Sequence, residues 1–191
     1  RDLSVSQARS IPNISIRKKH ERGFYGHSTI NHSYNLKSIN GDKVVIDNAT
    51  GLMWHQSGTG CVNRKESKEW IKKLNKRRYA GYKDWRLPSL EEAVSLLELH
   101  KKNSDLIIDP IFSNKQDGIW TGDTKNGSET AWSVGFSGRV YWNYNAPGIC
   151  TDARSVRSLT IREEKEQAEA ARVCRKAADQ GHAKAQCDLG T

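Results

Sequence analysis

The chain alternates between two hydrophobic periods, one typical of strands and one typical of helices. Apolar runs at residues 34–39 and 43–46 flank Asn40-Gly41, a dipeptide that supplies the positive φ angles of a tight hairpin turn. A second turn at residues 47–51 leads into Leu52-Met53-Trp54, which predicts a third short strand. The first regular unit is therefore expected to be an antiparallel hairpin with one further strand.

Between residues 62 and 80 the period becomes helical. Trp70, Ile71 and Leu74 fall on one face with lysines around them, which predicts an amphipathic helix with its basic face outward. A second helix is predicted to begin after Ser89, because Ser89 and Glu92 have the spacing of a capping box. Its predicted buried positions are Leu90, Ala93, Val94 and Leu97.

From residue 119 apolar and polar residues alternate again, which is the period of a strand. The alternating runs 132–136 and 140–144 flank Ser137-Gly138, which predicts a late antiparallel hairpin. Short runs at 119–121 and 155–159 supply two more strands, and we expect these strands to close one sheet. Strands, then two helices, then strands indicate an α+β fold and not the regular alternation that builds a parallel sheet.

The two ends of the chain differ from this middle unit, residues 32–161. Residues 1–31 have few apolar side chains and are interrupted by Pro12, Gly23 and Gly26, so we expect an arm or linker with at most a strand around residues 14–16. From residue 162 to 191 an alanine-rich, charged segment predicts a helix followed by a second helix near His182.

Charge is concentrated on the first helix. The formal net charge is +9, and residues 64–86 hold ten basic side chains against three acidic ones. A solvated helix face explains this pattern, and so does a surface for a polyanion such as a sulfated or acidic polysaccharide or a nucleic acid. The candidate polyanion-binding residues are Lys65, Lys68, Lys72, Lys73, Lys76 and Arg77.

The four cysteines show no CxxC spacing that would favour zinc. An even count without metal spacing is typical of disulfides in an oxidising compartment, although buried free thiols would give the same count. Three pairings are possible. We favour Cys61–Cys150 with Cys174–Cys187, because each bridge then closes one structural unit.

Two motifs suggest a family. Residues 47–54 read Asp-x-x-Thr-Gly-Leu-x-Trp, residues 84–89 read Asp-Trp-Arg-Leu-Pro-Ser, and shorter matches follow at 119–122 and 156–157. In order and spacing, residues 32–160 resemble the domain found at the C-terminus of Legionella collagen-like adhesins and in many exported bacterial proteins. The resemblance implies a C-type-lectin-like fold related to the formylglycine-generating enzymes, with roles in ligand binding, adhesion and self-association.

A second resemblance covers the C-terminal segment. Residues 168–190 are similar to one Sel1-like repeat, in which the positions of Cys174 and Cys187 are packing positions of two paired helices. One repeat cannot bury its own apolar face. We therefore expect it to continue in a longer parent chain, to pack on the preceding domain, or to fray.

The late hairpin and the loop after it form the second candidate site. Aromatic faces stack on sugar rings, and amide and guanidinium groups bind hydroxyls or sulfates. The candidate ligand-binding residues are Arg139, Tyr141, Asn143, Tyr144, Asn145 and Asp152. Trp120, Trp132 and Trp142 are expected in the core instead, and Arg86 is expected to pair with Asp47 or Asp84.

The sequence lacks the usual motifs of several metal-binding and enzymatic sites. The loop 143–152 contains one carboxylate, Asp152, whereas calcium takes six to eight oxygen ligands. The histidines show no HExxH spacing, and no GxSxG elbow, phosphate loop or pair of nearby formylglycine-type cysteines occurs. We expect no metal, no cofactor and no enzymatic activity, with a hydrolase assembled from distant residues as the remaining enzymatic alternative.

The hypothesis is an exported bacterial binding or adhesion module that recognises an anionic or hydroxyl-rich, glycan-like polymer. The alternative is a protein–protein or self-assembling envelope scaffold. The chain starts with Arg1 and has no 20-residue apolar stretch, so we expect a periplasmic, surface-exposed or secreted protein without a membrane span, its signal sequence already removed. Nucleic acid is not the expected partner.

Overall fold

The computed structural model describes residues 1–100, 105–125, 127, 129–146 and 148–179, with the backbone alone for 177–179. The helices are α1 (Val5–Arg9), α2 (Arg64–Arg77), α3 (Leu90–Ser95) and α4 (Ile161–Asp179), with a short 3-10 turn at Tyr79–Gly81. The strands are β1 (Ile14–His20), β2 (Gly23–Ser28), β3 (Tyr34–Ile39), β4 (Asp42–Asp47), β5 (Leu52–His55), β6 (Gly118–Thr124), β7 (Thr130–Gly135), β8 (Arg139–Tyr144) and β9 (Val156–Ser158). The fold is α+β, as predicted.

The strands form two antiparallel sheets, which corrects the expectation of one. The five-stranded sheet has the order β1-β2-β8-β7-β6, and the four-stranded sheet has the order β3-β4-β5-β9. The last strand, β9, pairs with β5 and not with the late hairpin β7–β8. Each sheet therefore combines strands from both ends of the chain.

The N-terminal segment is the second correction. Instead of an arm or linker, residues 1–31 form α1, β1 and β2, and β2 pairs with β8 through Phe24 and Val140. Phe24 is fully buried in the main core. The segment is ordered because it pairs with β8, which lies more than a hundred residues later, and no local pattern reveals that pairing.

The local predictions of the middle unit are confirmed. In the β3–β4 hairpin, Asn40 and Gly41 have φ angles of 53° and 82°, as a two-residue turn of this type requires. Ser89 and Glu92 form the predicted capping box at the start of α3. A second capping box, Asn63 with Glu66, starts α2. Such caps contribute about 1 kcal/mol each.

Two hydrophobic clusters hold the layers together. The larger lies between the two sheets and contains α3, with Trp54 and Trp132 fully buried. The smaller lies between the four-stranded sheet and α2, where Ile71 and Leu74 pack with Trp85. Burying each large side chain stabilises the fold by roughly 1.5–3 kcal/mol. Because only 36% of the residues are hydrophobic, the core depends on its large tryptophan side chains.

The residues of the motifs at 47–54 and 84–89 have structural partners. Asp47 accepts hydrogen bonds from His32 and Thr50. Arg86 does not pair with Asp47 or Asp84 as expected. It forms a two-fold hydrogen bond with Glu92, at 2.6 and 2.7 Å, because the capping position of Glu92 brings that carboxylate beside it. Asp84 pairs with Arg157 instead.

The C-terminal segment begins with the predicted helix. Thr160 and Glu163 cap α4 in the manner of the other helices. Arg157, the side chain of which is buried, bonds both Asp84 and Glu163 and so ties this helix to the preceding domain. The predicted second helix near His182, and Cys187 with it, lie outside the described residues.

Candidate ligand-binding surface

Helix α2 presents four lysines on one face. Spacings of three, four and four residues align Lys65, Lys68, Lys72 and Lys76 along a stripe about 16 Å long. We call these four residues the lysine stripe. All four are exposed, whereas Ser67, Ile71 and Leu74 bury the opposite face of the helix.

The basic residues of α2 differ in their partners. Lys72 pairs with Glu69 at 2.8 Å, and Arg77 bonds Asp42 at 3.3 Å while lying 4.6 Å over the ring of Tyr79. Among the described residues, no carboxylate pairs with Lys65, Lys68, Lys73 or Lys76. Arg77 is therefore partly committed to the fold, and most of the lysines are open to an external anion.

The late hairpin divides its aromatic residues between two faces. Trp142 and Tyr144 contact each other edge to face at 5.5 Å, and Tyr144 is 51% exposed. Two cations cover the Trp142 ring: Lys125 at 4.3 Å and Arg22 at 5.5 Å from the ring centre. The core expectation is confirmed for Trp120 and Trp132, whereas Trp142 is only half-buried. Sequence reasoning missed Lys125 and Arg22, because both reach the ring from other parts of the chain.

Arg139, Tyr141 and Asn143 lie on the opposite face of β8. The guanidinium of Arg139 is 4.6 Å from the ring centre of Tyr141. Burial raises the pKa of Tyr141, although Arg139 and hydrogen bonds to Asn143 and Thr151 oppose the shift. The phenol therefore stays neutral and can exchange hydrogen bonds. All three side chains are half-buried, so they border the surface and do not project from it.

The loop after β8 contains one predicted residue that faces inward. Asn145 is exposed, and its backbone N–H donates to the backbone carbonyl of Glu129. Asp152, by contrast, is buried, and its carboxylate accepts the amide of Asp117 at 3.0 Å. Burial raises the pKa of Asp152. Asp152 closes the loop onto β6, so the structure does not place it where a ligand would meet it.

A disulfide joins this loop to the start of α2. Cys61 and Cys150 are bonded as predicted, with their Cα atoms 5.3 Å apart. Next to the bridge, Val62 and Thr151 exchange two backbone hydrogen bonds, and Trp120 Nε1 donates to the carbonyl of Val62. The disulfide and these hydrogen bonds therefore fix the loop next to the start of α2, which carries the lysine stripe. The predicted Cys174–Cys187 pairing involves a residue outside those described and stays a prediction.

The half-buried His55 is held by contacts within the fold. His55 stacks on Tyr79 at 4.3 Å, and its Nδ1 accepts the amides of Ser57 and Gly58. Burial, together with the charges of Arg154 and Arg77, lowers the pKa of His55 to about 4. In the part of the chain that the structure describes, no three His, Cys, Asp or Glu side chains come together as a metal site would require.

A cleft of about 390 Å³ lies between residues 12–14 and α3. Its carboxylates are Glu91 and Glu92, and Glu92 already binds Arg86 and the amide of Ser89. Its remaining walls are largely aliphatic side chains and hydroxyls. Of its hydroxyl groups, that of Thr50 donates to the carboxylate of Asp47, a hydrogen bond that belongs to the turn at residues 47–51.

The family follows from a model match over residues 43–157, described as the Lcl C-terminal domain. The chain belongs to the Lcl C-terminal domain family. This match confirms the family that the motifs at residues 47–54 and 84–89 suggested. It begins in β4 and ends in β9, so α1, β1 and β2 lie outside it. No curated protein and no solved structure matches the chain significantly.

The family is that of a surface or secreted domain, and the Cys61–Cys150 bridge is compatible with an exported protein. Among the helices described, none has the length and apolar character needed to cross a bilayer.

Proposed function

We propose that this Lcl C-terminal domain is a non-catalytic binding module that holds an anionic, glycan-like polymer on the lysine stripe of α2. The observation that carries the proposal is the alignment of four exposed lysines, of which Lys65, Lys68 and Lys76 have no described carboxylate partner. A regular row of cations attracts a polyanion and releases its condensed counterions. The buried opposite face fixes the helix, so the lysines are presented without a folding cost.

The late hairpin supplies the second contact in this proposal. Tyr144 and Asn145 offer an exposed ring and an exposed side-chain amide to hydroxyls of the polymer, and the half-buried Asn143 borders them from the opposite face of β8. The disulfide supports this role because it holds the loop beside the first turn of α2. An exported bacterial location, in the periplasm, on the cell surface or in the medium, belongs to the same proposal.

Dextran sulfate tests the proposal. The triple variant Lys65→Gln/Lys68→Gln/Lys76→Gln should elute from a dextran sulfate column at much lower salt than the parent protein. The matched control, Lys115→Gln/Lys165→Gln/Lys176→Gln, removes the same charge from exposed positions elsewhere and should elute close to the parent. Equal loss of retention in both variants would mean that net charge, and not the stripe, governs binding.

A glycan screen at two salt concentrations tests the late hairpin. Tyr144→Ala should weaken binding of the glycans that the parent protein retains, with a smaller effect from Tyr141→Ala because Tyr141 is half-buried. The hairpin has no role if both variants bind like the parent.

A second candidate function is a self-assembling or protein-binding scaffold. Helix α4 favours it, because Ile161 and Val173 are 73% and 56% exposed on a helix of 19 residues. The two side chains lie about 18 Å apart along the helix, so each would be a separate contact of an interface that runs along α4. Light scattering should then show a discrete oligomer that Val173→Lys dissociates, and a monomer at all concentrations would contradict this function.

The finer fold assignments are part of the proposal as well. A C-type-lectin-like fold is supported by the two antiparallel sheets, the two helices and the family match. A partial Sel1-like repeat at residues 162–191 is supported by α4, which starts where the family match has ended.

A further inference from the structure

The N-terminal hairpin β1–β2 extends the late-hairpin surface. Residues 14–28 lie outside the family match, yet β2 pairs directly with β8. Residues that face each other across neighbouring antiparallel strands share one side of the sheet. The register therefore shows which N-terminal side chains accompany Arg139 and Tyr141.

Two rows of side chains cross the three strands on the face that points away from the main core. Lys18 is opposite Tyr25, and Tyr25 is opposite Arg139. In the next row, His20 is opposite Gly23, and Gly23 is opposite Tyr141. We call Lys18, His20, Tyr25, Arg139 and Tyr141 the hairpin face.

Gly23 leaves an opening in the middle of this face. A Cβ atom at Gly23 would lie 1.9 Å from the carbonyl oxygen of Val140, and the φ angle of Gly23 is 149°. Only glycine fits this close approach of two strands. The second row thus has no side chain between His20 and Tyr141.

The polar contact across the opening lacks an acceptor. The Nδ1 atom of His20 accepts the amide of Arg22 at 3.1 Å, so in the neutral ring the proton is on Nε2. That Nε2–H group lies 3.4 Å from Nη2 of Arg139, which is itself a donor. In this tautomer two donors therefore face each other.

Arg139 has a further hydrogen-bond donor without a partner among the described residues. Its Nε atom is buried and has no hydrogen-bond partner among the described residues, and no described carboxylate pairs with it. Lys18 is exposed in the adjacent row. An oxygen anion placed between His20 and Arg139 would accept from both, and charge-assisted bonds of this kind are the stronger ones.

We propose that the hairpin face binds one acidic sugar residue, the carboxylate or sulfate of which accepts hydrogen bonds from Arg139 and His20. The sugar ring packs against Tyr25, and Lys18 adds a further positive charge. The inference rests on the proposed function in taking the ligand to be an anionic glycan. It adds a site that Lys18, His20 and Tyr25, which the family match does not cover, complete beside Arg139 and Tyr141.

Nuclear magnetic resonance with three trisaccharides tests this site. Trigalacturonate carries carboxylates, a sulfated maltotriose carries sulfates, and maltotriose is neutral. The His20, Tyr25 and Tyr141 ring signals should shift with one or both anionic sugars, and the arm that binds identifies the acid group. Absence of shifts with both anions, or equal shifts with maltotriose, would overturn the proposal.

Variants separate this site from the lysine stripe. Arg139→Gln should weaken trisaccharide binding about tenfold or more, Lys18→Gln several-fold, and the exposed control Lys115→Gln not measurably. Since Lys18 is exposed, its variant keeps the test valid if Arg139→Gln folds poorly. The stripe variant Lys65→Gln/Lys68→Gln/Lys76→Gln should still bind the trisaccharide, so failure of either site is seen independently. Unchanged affinity in Lys18→Gln and Arg139→Gln would refute the site.

Discussion

The Nδ1 atom of His32 lies 2.7 Å from Oδ2 of Asp47, the first residue of the family motif at 47–54. The Nε2 atom of the same ring lies 2.7 Å from the carbonyl oxygen of Ser95 at the end of α3. Both neighbours can only accept, so both ring nitrogens carry protons and His32 is an imidazolium. This buried ion pair connects the four-stranded sheet to α3.

The pair predicts how stability depends on pH. Burial alone would lower the pKa of His32, but the bonds to Asp47 and Ser95 raise it above 6.5. Burial would raise the pKa of Asp47, but His32 and Thr50 hold it below 3.8. The stabilisation by His32 is complete below pH 6.5 and is lost as pH rises through its higher folded pKa. The stabilisation by Asp47 is complete above pH 3.8 and is lost as pH falls through its lower folded pKa.

Urea unfolding at a series of pH values checks this prediction. Stability should be greatest between about pH 4 and 6.5 and should fall on the alkaline side. His32→Gln should lower the free energy of unfolding by about 3 kcal/mol and should flatten the alkaline fall. The half-buried His20 pairs with no carboxylate described, so His20→Gln serves as the control. An alkaline fall that persists in His32→Gln would contradict the assignment.

Arg154 is expected to be essential for stability. It is fully buried, donates to the carbonyls of His55 and Gln56, and also bonds Gln116. Burial lowers the pKa of Arg154 to about 9. Arg154→Met would leave these buried acceptors unsatisfied, at a cost of about 1–3 kcal/mol for each group that finds no water.

Chemical denaturation measures this cost. The urea midpoint of Arg154→Met should fall well below that of the parent, whereas Arg162→Met, at an exposed arginine of α4, should stay within about 0.5 kcal/mol. Equal midpoints for the two variants would show that the buried guanidinium is dispensable.

Glu163 is expected to hold α4 on the domain. Burial alone would raise its pKa, but hydrogen bonds from Arg157 and Thr160 lower it to about 2. Glu163→Gln removes the charge that Arg157 binds at 3.0 Å, so the first turns of α4 should open more often. Faster amide hydrogen exchange in residues 161–167 is the expected result. Glu166→Gln, which alters an exposed ion pair with Arg162, is the control. Equal exchange in both variants would contradict the role of the Glu163–Arg157 ion pair in holding α4 on the domain.

The Cys61–Cys150 bridge is expected to stabilise the fold through the loop of 89 residues that it closes. Loop-closure entropy puts the loss in Cys61→Ser/Cys150→Ser at about 4 kcal/mol. Backbone bonds between Val62 and Thr151 remain, so the variant should fold at neutral pH with a lower melting temperature. A melting temperature equal to that of the parent would show that the backbone pairing alone suffices.

The sequence predicts what is local. The turn at Asn40-Gly41, the capping box of Ser89 with Glu92 and the amphipathic α2 are each specified within a few residues, and the structure confirms them. The cysteine count and spacing also led to the correct Cys61–Cys150 pair.

Long-range pairing was not predictable in the same way. Strand β1 is polar because it forms the edge of the sheet, and β2, which contains two glycines, lies between β1 and β8. The two strands therefore resemble an arm until β8 is placed beside them. The burial of Asp152 and the choice of Glu92 by Arg86 likewise depend on tertiary contacts. For the same reason the candidate site gained Lys18, His20 and Tyr25 only from the strand register.

The salt dependence of dextran sulfate binding tests the central claim most directly. Isothermal titration at several NaCl concentrations gives the slope of log affinity against log salt, which reports how many cations are replaced on binding. We expect Lys65→Gln/Lys68→Gln/Lys76→Gln to lower the magnitude of this slope by roughly 2–3, while Lys115→Gln/Lys165→Gln/Lys176→Gln leaves it near that of the parent. A slope unchanged in the first variant would contradict polymer binding along α2.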